Sequence, residues 1–484
     1  MLFPTLEFAV FFVIVFTVNW LLRPAHPIGW RLTMLAASLY FYGYWDFRFV
    51  GLLLGSIVVN HLIGDQVHRG LDRHGGPTVI SRNWVRLAVV VNLAVLGWFK
   101  YYGFFTVEMA NWLESAGLGV DPPLLEILLP IGISFFTFQA MSYVIDVGRG
   151  DIGPMSLLDF GVYLSFFPQL VAGPIVRASE FAPQLKTIPD PRYLPSAEAF
   201  WLIFVGLFKK VVVSSYLADA IVDQVFAVPE AHSAPEIVVA VYAYAIQIYA
   251  DFSGYTDIAI GVALLLGFRF PQNFNAPYRS LSIQDFWRRW HMTLSRWLRD
   301  YLYIPLGGNR DGTYRTYRNL MLTMILGGLW HGAAWNFVIW GTIHGAALSV
   351  ERVASSWWAA RNDATEAEAK LPAWASATIR WVITFNTVCL AWVFFRSPSF
   401  SSAMTMLGQL TDWSGSAALV TPGLLLVIGL MLASQFVPHD WVTLVQQRFS
   451  QANWLAQGAV FGMSLVVIDA LGPVGVAPFI YFQF

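Results

Sequence analysis

The chain has 484 residues, of which 57% are apolar and only 12% charged, against about 45–50% and about 25% in a soluble domain; a water-soluble globule is excluded. Lys and Arg number 29 against 30 Asp and Glu, so no global field attracts nucleic acid. The single Cys389 excludes an internal disulfide framework and any cysteine-based metal cluster.

Apolar blocks of span or half-span length lie at 2–22, 32–45, 47–64, 84–105, 124–147, 157–172, 197–216, 236–267, 319–350, 377–395, 419–437 and 453–471. The first has no basic residue ahead of it and no small-residue cleavage site, so it reads as a retained span rather than a removed signal. Several blocks fall short of the roughly 20 residues a crossing requires, which predicts re-entrant or tilted segments among them. Basic residues in the connections set the orientation. Arg23 and Arg31, then Arg69, Arg73, Arg82 and Arg86, then Arg177, Lys186 and Arg192 mark cytoplasmic connections. The stretches 106–123 and 217–236 carry acids without Lys or Arg and should face outward, with the N-terminus. Lys209 and Lys210 run against this assignment. No internal repeat or low-complexity linker is visible, and 359–371 reads as a solvated loop helix.

The segment 269–319 departs most from its surroundings, with nine Arg, no Lys and three Asp, and the same rule makes it cytoplasmic. Within it Trp287, Trp290, Leu294, Trp297, Leu298 and Tyr301 recur mainly at steps of three and four, the stripe of an amphipathic helix. Gln284, Arg288, His291, Ser295 and Arg299 share another face of that helix. Such a helix would lie in the membrane interface with its Trp face in the acyl boundary. It is either a lipid-headgroup anchor or the wall of a site.

His331 stands in Gly327-Gly328-Leu329-Trp330-His331-Gly332, with Trp335 and Asn336 following, inside an apolar block. An imidazole at membrane depth is expensive and by default marks a functional site facing the protein interior; the competing explanation is a ring that satisfies a neighbouring carbonyl. His344 lies 13 residues on, about 20 Å along a continuous helix at ~1.5 Å per residue, and so falls outside that site. Asp251 and Asp257 are the clearest intramembrane acids. Six residues apart on a helix, they form no single-face pair; they orient a polar neighbour or serve an ion relay, which would make the chain a transporter. No Cys/His metal spacing, glycine-rich phosphate loop or nucleophile elbow is present, and no metal is expected.

Five stretches then become recognisable: Leu129-PIGISFFTFQAMSYVID-Val147, Phe166-FPQLVAGPIV-Arg177, Tyr249-ADFSGYTDIAI-Gly261, Phe274-NAPYRSLSIQDFWRRWHMTLSRWLRDYLYIPLGGN-Arg310 and Gly327-GLWHGAAWNFVIWGTIH-Gly345. Together they resemble the membrane-bound O-acyltransferases, nearest to the bacterial branch with alginate O-acetyltransferases and teichoic-acid D-alanyl transfer proteins. The resemblance covers about 130–345; outside it the match is one of hydropathy, plus Trp392 to Arg396. One departure is Gly148, where relatives usually carry Tyr. The resemblance implies an all-α polytopic membrane protein. Its ring of about 11 transmembrane helices, with re-entrant and interfacial ones, would surround a thinned central tunnel in a single acyltransferase domain over 1–484.

The resemblance also implies roles. The family's catalytic His falls on His331, and its second, cytoplasmic-side His on His291. A neutral imidazole, with an ordinary pKa of ~6.5, can take the proton of an attacking hydroxyl and return it to a thiolate. Arg288, Arg289, Arg296 and Arg299 are candidates to hold the phosphates of coenzyme A, and Trp330 or Asn336 to brace the His331 ring. The expected function is transfer of acetyl from cytoplasmic acetyl-CoA across a bacterial inner membrane. The recipient would be a periplasmic acetyl-accepting or acetyl-transferring protein, or an alginate-like exopolysaccharide. Acetyl-CoA is donor rather than resident cofactor, and no nucleic acid is expected. The alternatives are D-alanyl transfer from a carrier protein to teichoic acid and, in another class, a polysaccharide transporter or flippase.

Overall fold

A computed structural model describes residues 1, 3–72, 76–118, 125, 127–362, 372–472 and 480. Among the described residues there is no strand, and seven helices are long and apolar enough to cross a membrane: Leu6–Ala25, Arg48–Asp72, Val79–Ser115, Ser196–Ala227, Ala234–Leu265, Ala373–Arg396 and Trp454–Leu471. The all-α, polytopic membrane architecture that the resemblance implies is therefore what the described residues adopt. By contact the chain divides into two compact units, 1–203 with 255–271, and 204–254 with 272–484.

The first unit opens with α1 (Leu6–Leu22), α2 (Pro27–Gly43), α3 (Arg48–Asp72), α4 (Val79–Ser115) and α5 (Ile133–Arg149). Local chemistry starts these helices where the sequence says they should. Thr5 Oγ1 accepts from the Phe8 N–H, Pro27 opens α2, and Thr78 with Ser81 forms a reciprocal cap on α4. Val10, Val13 and Ile14 of α1 are more than half exposed, as a lipid-facing surface must be. Inside, the Asn60 and Asn92 amides bond each other between α3 and α4 at 3.2 and 2.6 Å. The block 157–172 breaks at Phe166 into α6 (Leu157–Ser165) and α7 (Phe167–Leu170), because Pro168 enters the chain there. After α8 (Ala178–Leu185), α9 (Ser196–Leu207) leads out of the unit. Arg23, expected in a solvated connection, is 2% exposed. Its guanidinium donates to the carbonyls of Leu266, Gln184 and Thr187 at 2.8–3.2 Å, so it ties the end of α1 to two other connections expected on the cytoplasmic side.

The second unit continues the α9 run through π turns at Phe208–Ser214 and Ala218–Val222, with α10 (Ser215–Leu217) and α11 (Asp223–Ala227). The wide turns point Lys209 and Lys210 toward α12 (Ala234–Leu265): Lys210 pairs with Asp251, whose Oδ1 also accepts from Ser214 at 3.2 Å, and Lys209 donates to Ser253 at 2.9 Å. These lysines are interior partners, not loop charges, which removes their objection to the orientation. Next come α13 (Ile283–Arg289), α14 (Met292–Leu298), α15 (Thr313–His331), α16 (Trp335–Asn362) and α17 (Ala373–Arg396). The last are α18 (Phe400–Gln409), α19 (Pro422–Ser434), α20 (His439–Gln451) and α21 (Trp454–Leu471). The loop helix expected at 359–371 lies outside the described residues beyond Asn362.

Two corrections concern helices expected to be continuous. The single interfacial helix over 284–301 is interrupted between α13 and α14 at Trp290 and His291, so face arithmetic does not carry across it. Its apolar stripe also faces protein rather than acyl chains, since Trp290, Leu294, Trp297, Leu298 and Tyr301 are all at most 9% exposed. The block 319–350 is likewise an antiparallel hairpin, α15 and α16 joined at 332–334, not one helix. Glycine permits the pairing: a Cβ on Gly328 would meet the Phe337 carbonyl oxygen at 2.1 Å, and one on Gly341 the Met324 carbonyl oxygen at 2.3 Å.

Candidate active site

All the residues that form the site belong to the second unit. Ser282 caps α13 by accepting the Asp285 N–H at 3.0 Å, and Gln284 donates its backbone N–H to Glu351 of α16 at 3.1 Å. The helix cannot continue past Trp290 because His291 adopts φ 41°, ψ 54°, the left-handed region that His tolerates better than most residues. Asn273 holds this break from 18 residues upstream. Its carbonyl accepts the Met292 N–H at 2.9 Å, and its Oδ1 accepts from the Thr293 N–H at 3.2 Å and the Thr293 hydroxyl at 2.9 Å.

The same Oδ1 lies 3.1 Å from His291 Nδ1. A backbone N–H can only donate, so Oδ1 is an acceptor, Nδ1 carries the proton, and Nε2 presents a lone pair. Nε2 has no hydrogen-bond partner among the described residues. The ring is fully buried, and burial pushes its pKa down to about 3, so it is neutral at physiological pH. Asn273→Ala removes the acceptor that fixes both backbone and tautomer. Losing a buried hydrogen bond of this kind costs about 1–3 kcal/mol, so kcat/KM for acyl transfer should fall about tenfold in initial-rate measurements.

His331 ends α15, 4% exposed. Three aromatic rings present themselves edge to face around it, Trp330 and Trp340 at 5.0 Å and Phe395 at 5.2 Å between centroids. The Trp330 indole also lies 6.1 Å from the His291 ring; one side chain therefore touches both imidazoles. The separation of about 20 Å expected for His344 along one helix does not hold, because 319–350 is not one helix. Because the chain reverses at 332–334, the His344 ring packs 4.8 Å from Trp340, the same indole that touches His331.

The arginines separate. Arg289 is held by Asp285, both carboxylate oxygens at 3.0 Å, and Arg299 by Asp300 at 2.6 Å. Arg299 lines a cavity of about 550 Å³ with Gln284, Tyr303, Asn309, Glu351 and Arg352; Arg288, Arg289 and Arg296 do not. Asn336 donates its side-chain amide to the Ser397 carbonyl at 2.8 Å, joining α16 to the end of α17 rather than bracing His331. Residues that sequence reasoning missed are Asn273, Trp340, Phe395, His344 and Arg352. Their roles depend on contacts between elements, which periodicity within one helix does not carry. Among the described residues no group of three or more His, Cys, Asp or Glu side chains could hold a metal ion.

Comparison with known proteins gives the family. The signature of the membrane-bound O-acyltransferase family, MBOAT, matches residues 79–396. The chain is 42% identical over 421 residues to a probable alginate O-acetylase AlgI of Azotobacter vinelandii, covering 86% of this chain and 79% of that protein. It is 38% identical over 417 residues to a peptidoglycan O-acetyltransferase of Helicobacter pylori, covering 81% and 75%. A teichoic acid D-alanyltransferase of Streptococcus thermophilus is more distant, at 28% over 55% of this chain and 68% of that protein. The chain belongs to the membrane-bound O-acyltransferase family and is a multi-pass membrane O-acyltransferase.

Proposed function

We propose that this protein, acting as one domain, moves an acetyl group from acetyl-CoA on the cytoplasmic side of a bacterial inner membrane to a hydroxyl on the periplasmic side. The acceptor is an exopolysaccharide of alginate type, reached directly or through a periplasmic partner protein. The observation that carries this reading is the pair of buried imidazoles against one indole, with an arginine-lined cavity opening in the segment that the charge pattern makes cytoplasmic.

The chemistry needs little beyond these groups. The acceptor oxygen attacks the thioester carbonyl while His331 takes the hydroxyl proton; the C–S bond breaks, and the same proton passes to the leaving thiolate. The donor is already activated, so no enzyme nucleophile is required and positioning supplies much of the barrier reduction. His291, neutral with Nε2 available, contacts the donor's arm or acyl carbonyl. Arg299 and Arg352 at the cavity suit the phosphates of coenzyme A, since a planar guanidinium matches phosphate oxygens in pairs.

The transporter alternative loses its main support because Asp251 is engaged on both oxygens: Oδ1 by Lys210 and Ser214, Oδ2 by the Ile480 N–H at 2.9 Å. An acid so satisfied fits a structural tie better than an ion relay. Membrane vesicles carrying the protein, supplied with labelled acetyl-CoA or with a D-alanyl carrier protein, decide among the remaining readings. Label should reach alkali-labile esters on the polysaccharide from acetyl-CoA alone. Transfer of D-alanine without acetate would overturn the donor assignment, and acetate on peptidoglycan in place of exopolysaccharide would overturn the acceptor.

A further inference from the structure

His344 is fully buried where α16 meets α13, and neither of its ring nitrogens has a hydrogen-bond partner among the described residues. It packs against two indoles, Trp287 at 5.0 Å and Trp340 at 4.8 Å, which lie 5.6 Å from each other. The Nε1 atoms of both are buried and equally without a partner. One cluster of three rings thus holds four buried nitrogens without a partner among the described residues. Leaving buried polar groups unsatisfied is unfavourable, and wholly apolar side chains would carry no such cost. The cluster is built to meet something polar.

Its place in the unit says what passes there. Leu348, one turn beyond His344 on α16, and Gln284, three residues before Trp287 on α13, both line the 550 Å³ cavity that Arg299 and Arg352 share. On the other side Trp340 touches His331 at 5.0 Å. The cluster therefore adjoins residues that line the cavity on one side and the proposed base on the other. Indole N–H groups can only donate, so the occupant must offer acceptors such as amide carbonyls. The imidazole adds one donor and one acceptor, which match an amide N–H or a further carbonyl. A plain alkyl chain offers none of these.

We infer that His344, with Trp287 and Trp340, binds the amide-bearing arm of the thioester donor between the cavity and His331 and so sets the position of the acyl carbonyl. This rests on the acyl-CoA reading above. His344 acts by contact with the donor and takes no proton from the acceptor.

Membrane vesicles and detergent-purified full-length protein test it, with acetyl-CoA as the probe. His344→Phe keeps the ring and deletes both nitrogens: KM for acetyl-CoA should rise about tenfold, the scale of one lost buried hydrogen bond, with kcat within about threefold. Equilibrium binding of acetyl-CoA in a His331→Ala background should weaken by the same factor. His344→Gln, which restores a donor and an acceptor, should recover part of the loss. If His344→Phe does not accumulate, Trp287→Phe reads the same split at one nitrogen. Unchanged KM and binding in the Phe variant, while His331→Ala abolishes transfer, would overturn the assignment and leave the proposed function standing. Failure of the unaltered protein to bind or use acetyl-CoA would instead overturn the functional reading itself, and this assignment with it.

Discussion

Replacing His331 with Ala or Gln is expected to lower acetyl transfer about 10²–10⁴-fold, the range contributed by a positioned general base, with the protein still present in the membrane. Trp330, Trp340 and Phe395 offer edges and faces but no group able to take a proton in its place. His291 packs against the Trp330 indole and is tied at Nδ1 to Asn273, so taking over the role would mean rearranging the break that Asn273 holds. Gln keeps much of the volume and a polar end, so a loss equal to that of Ala isolates the missing base from the missing bulk. Ester-linked acetate on the exported polymer, normalised to protein in the membrane fraction, is the measurement. Acetylation at the native level in either variant removes His331 from the mechanism.

The second large effect is mechanical. Gly328→Ala or Gly341→Ala places a methyl 2.1 or 2.3 Å from a backbone oxygen of the opposite helix. No rotamer change relieves a clash with backbone, so α15 and α16 must separate. Overpacking typically costs about 1–3 kcal/mol, and here the upper end is expected. Separation also moves Trp340 and His344 on one helix away from Trp330 and His331 on the other, so activity should fall at least as far as membrane abundance. Gly458→Ala on α21, where an added Cβ meets nothing within 4 Å, should leave both unchanged. Native thermal stability and rates in either hairpin variant would show that the close approach is not required.

The residues differ in how much they disclosed. The membrane class and the apolar blocks follow from composition, the helical class from the motifs that carry the resemblance, and the expectation for His331 from the cost of an imidazole in lipid, all local properties. His344 was hidden because its exclusion assumed one helix across 332–334, where a short break folds the second half back. The Trp290 to Tyr301 stripe has the period of a membrane-facing helix, yet an apolar face looks the same whether lipid or protein covers it. Lys209 and Lys210 counted against the orientation because their partners, Asp251 and Ser253, lie more than 40 residues away. Asn273 gave no signal at all: an asparagine becomes a clamp only once the chain it grips has turned to meet it.

The left-handed backbone at His291 restricts how that side chain can be interrogated. Most L-residues pay about 1–2 kcal/mol in that conformation, so the customary alanine would confound a missing imidazole with a displaced loop. Asparagine and glycine accept the same dihedral angles more readily. They are the replacements from which chemistry alone can be learned at that position.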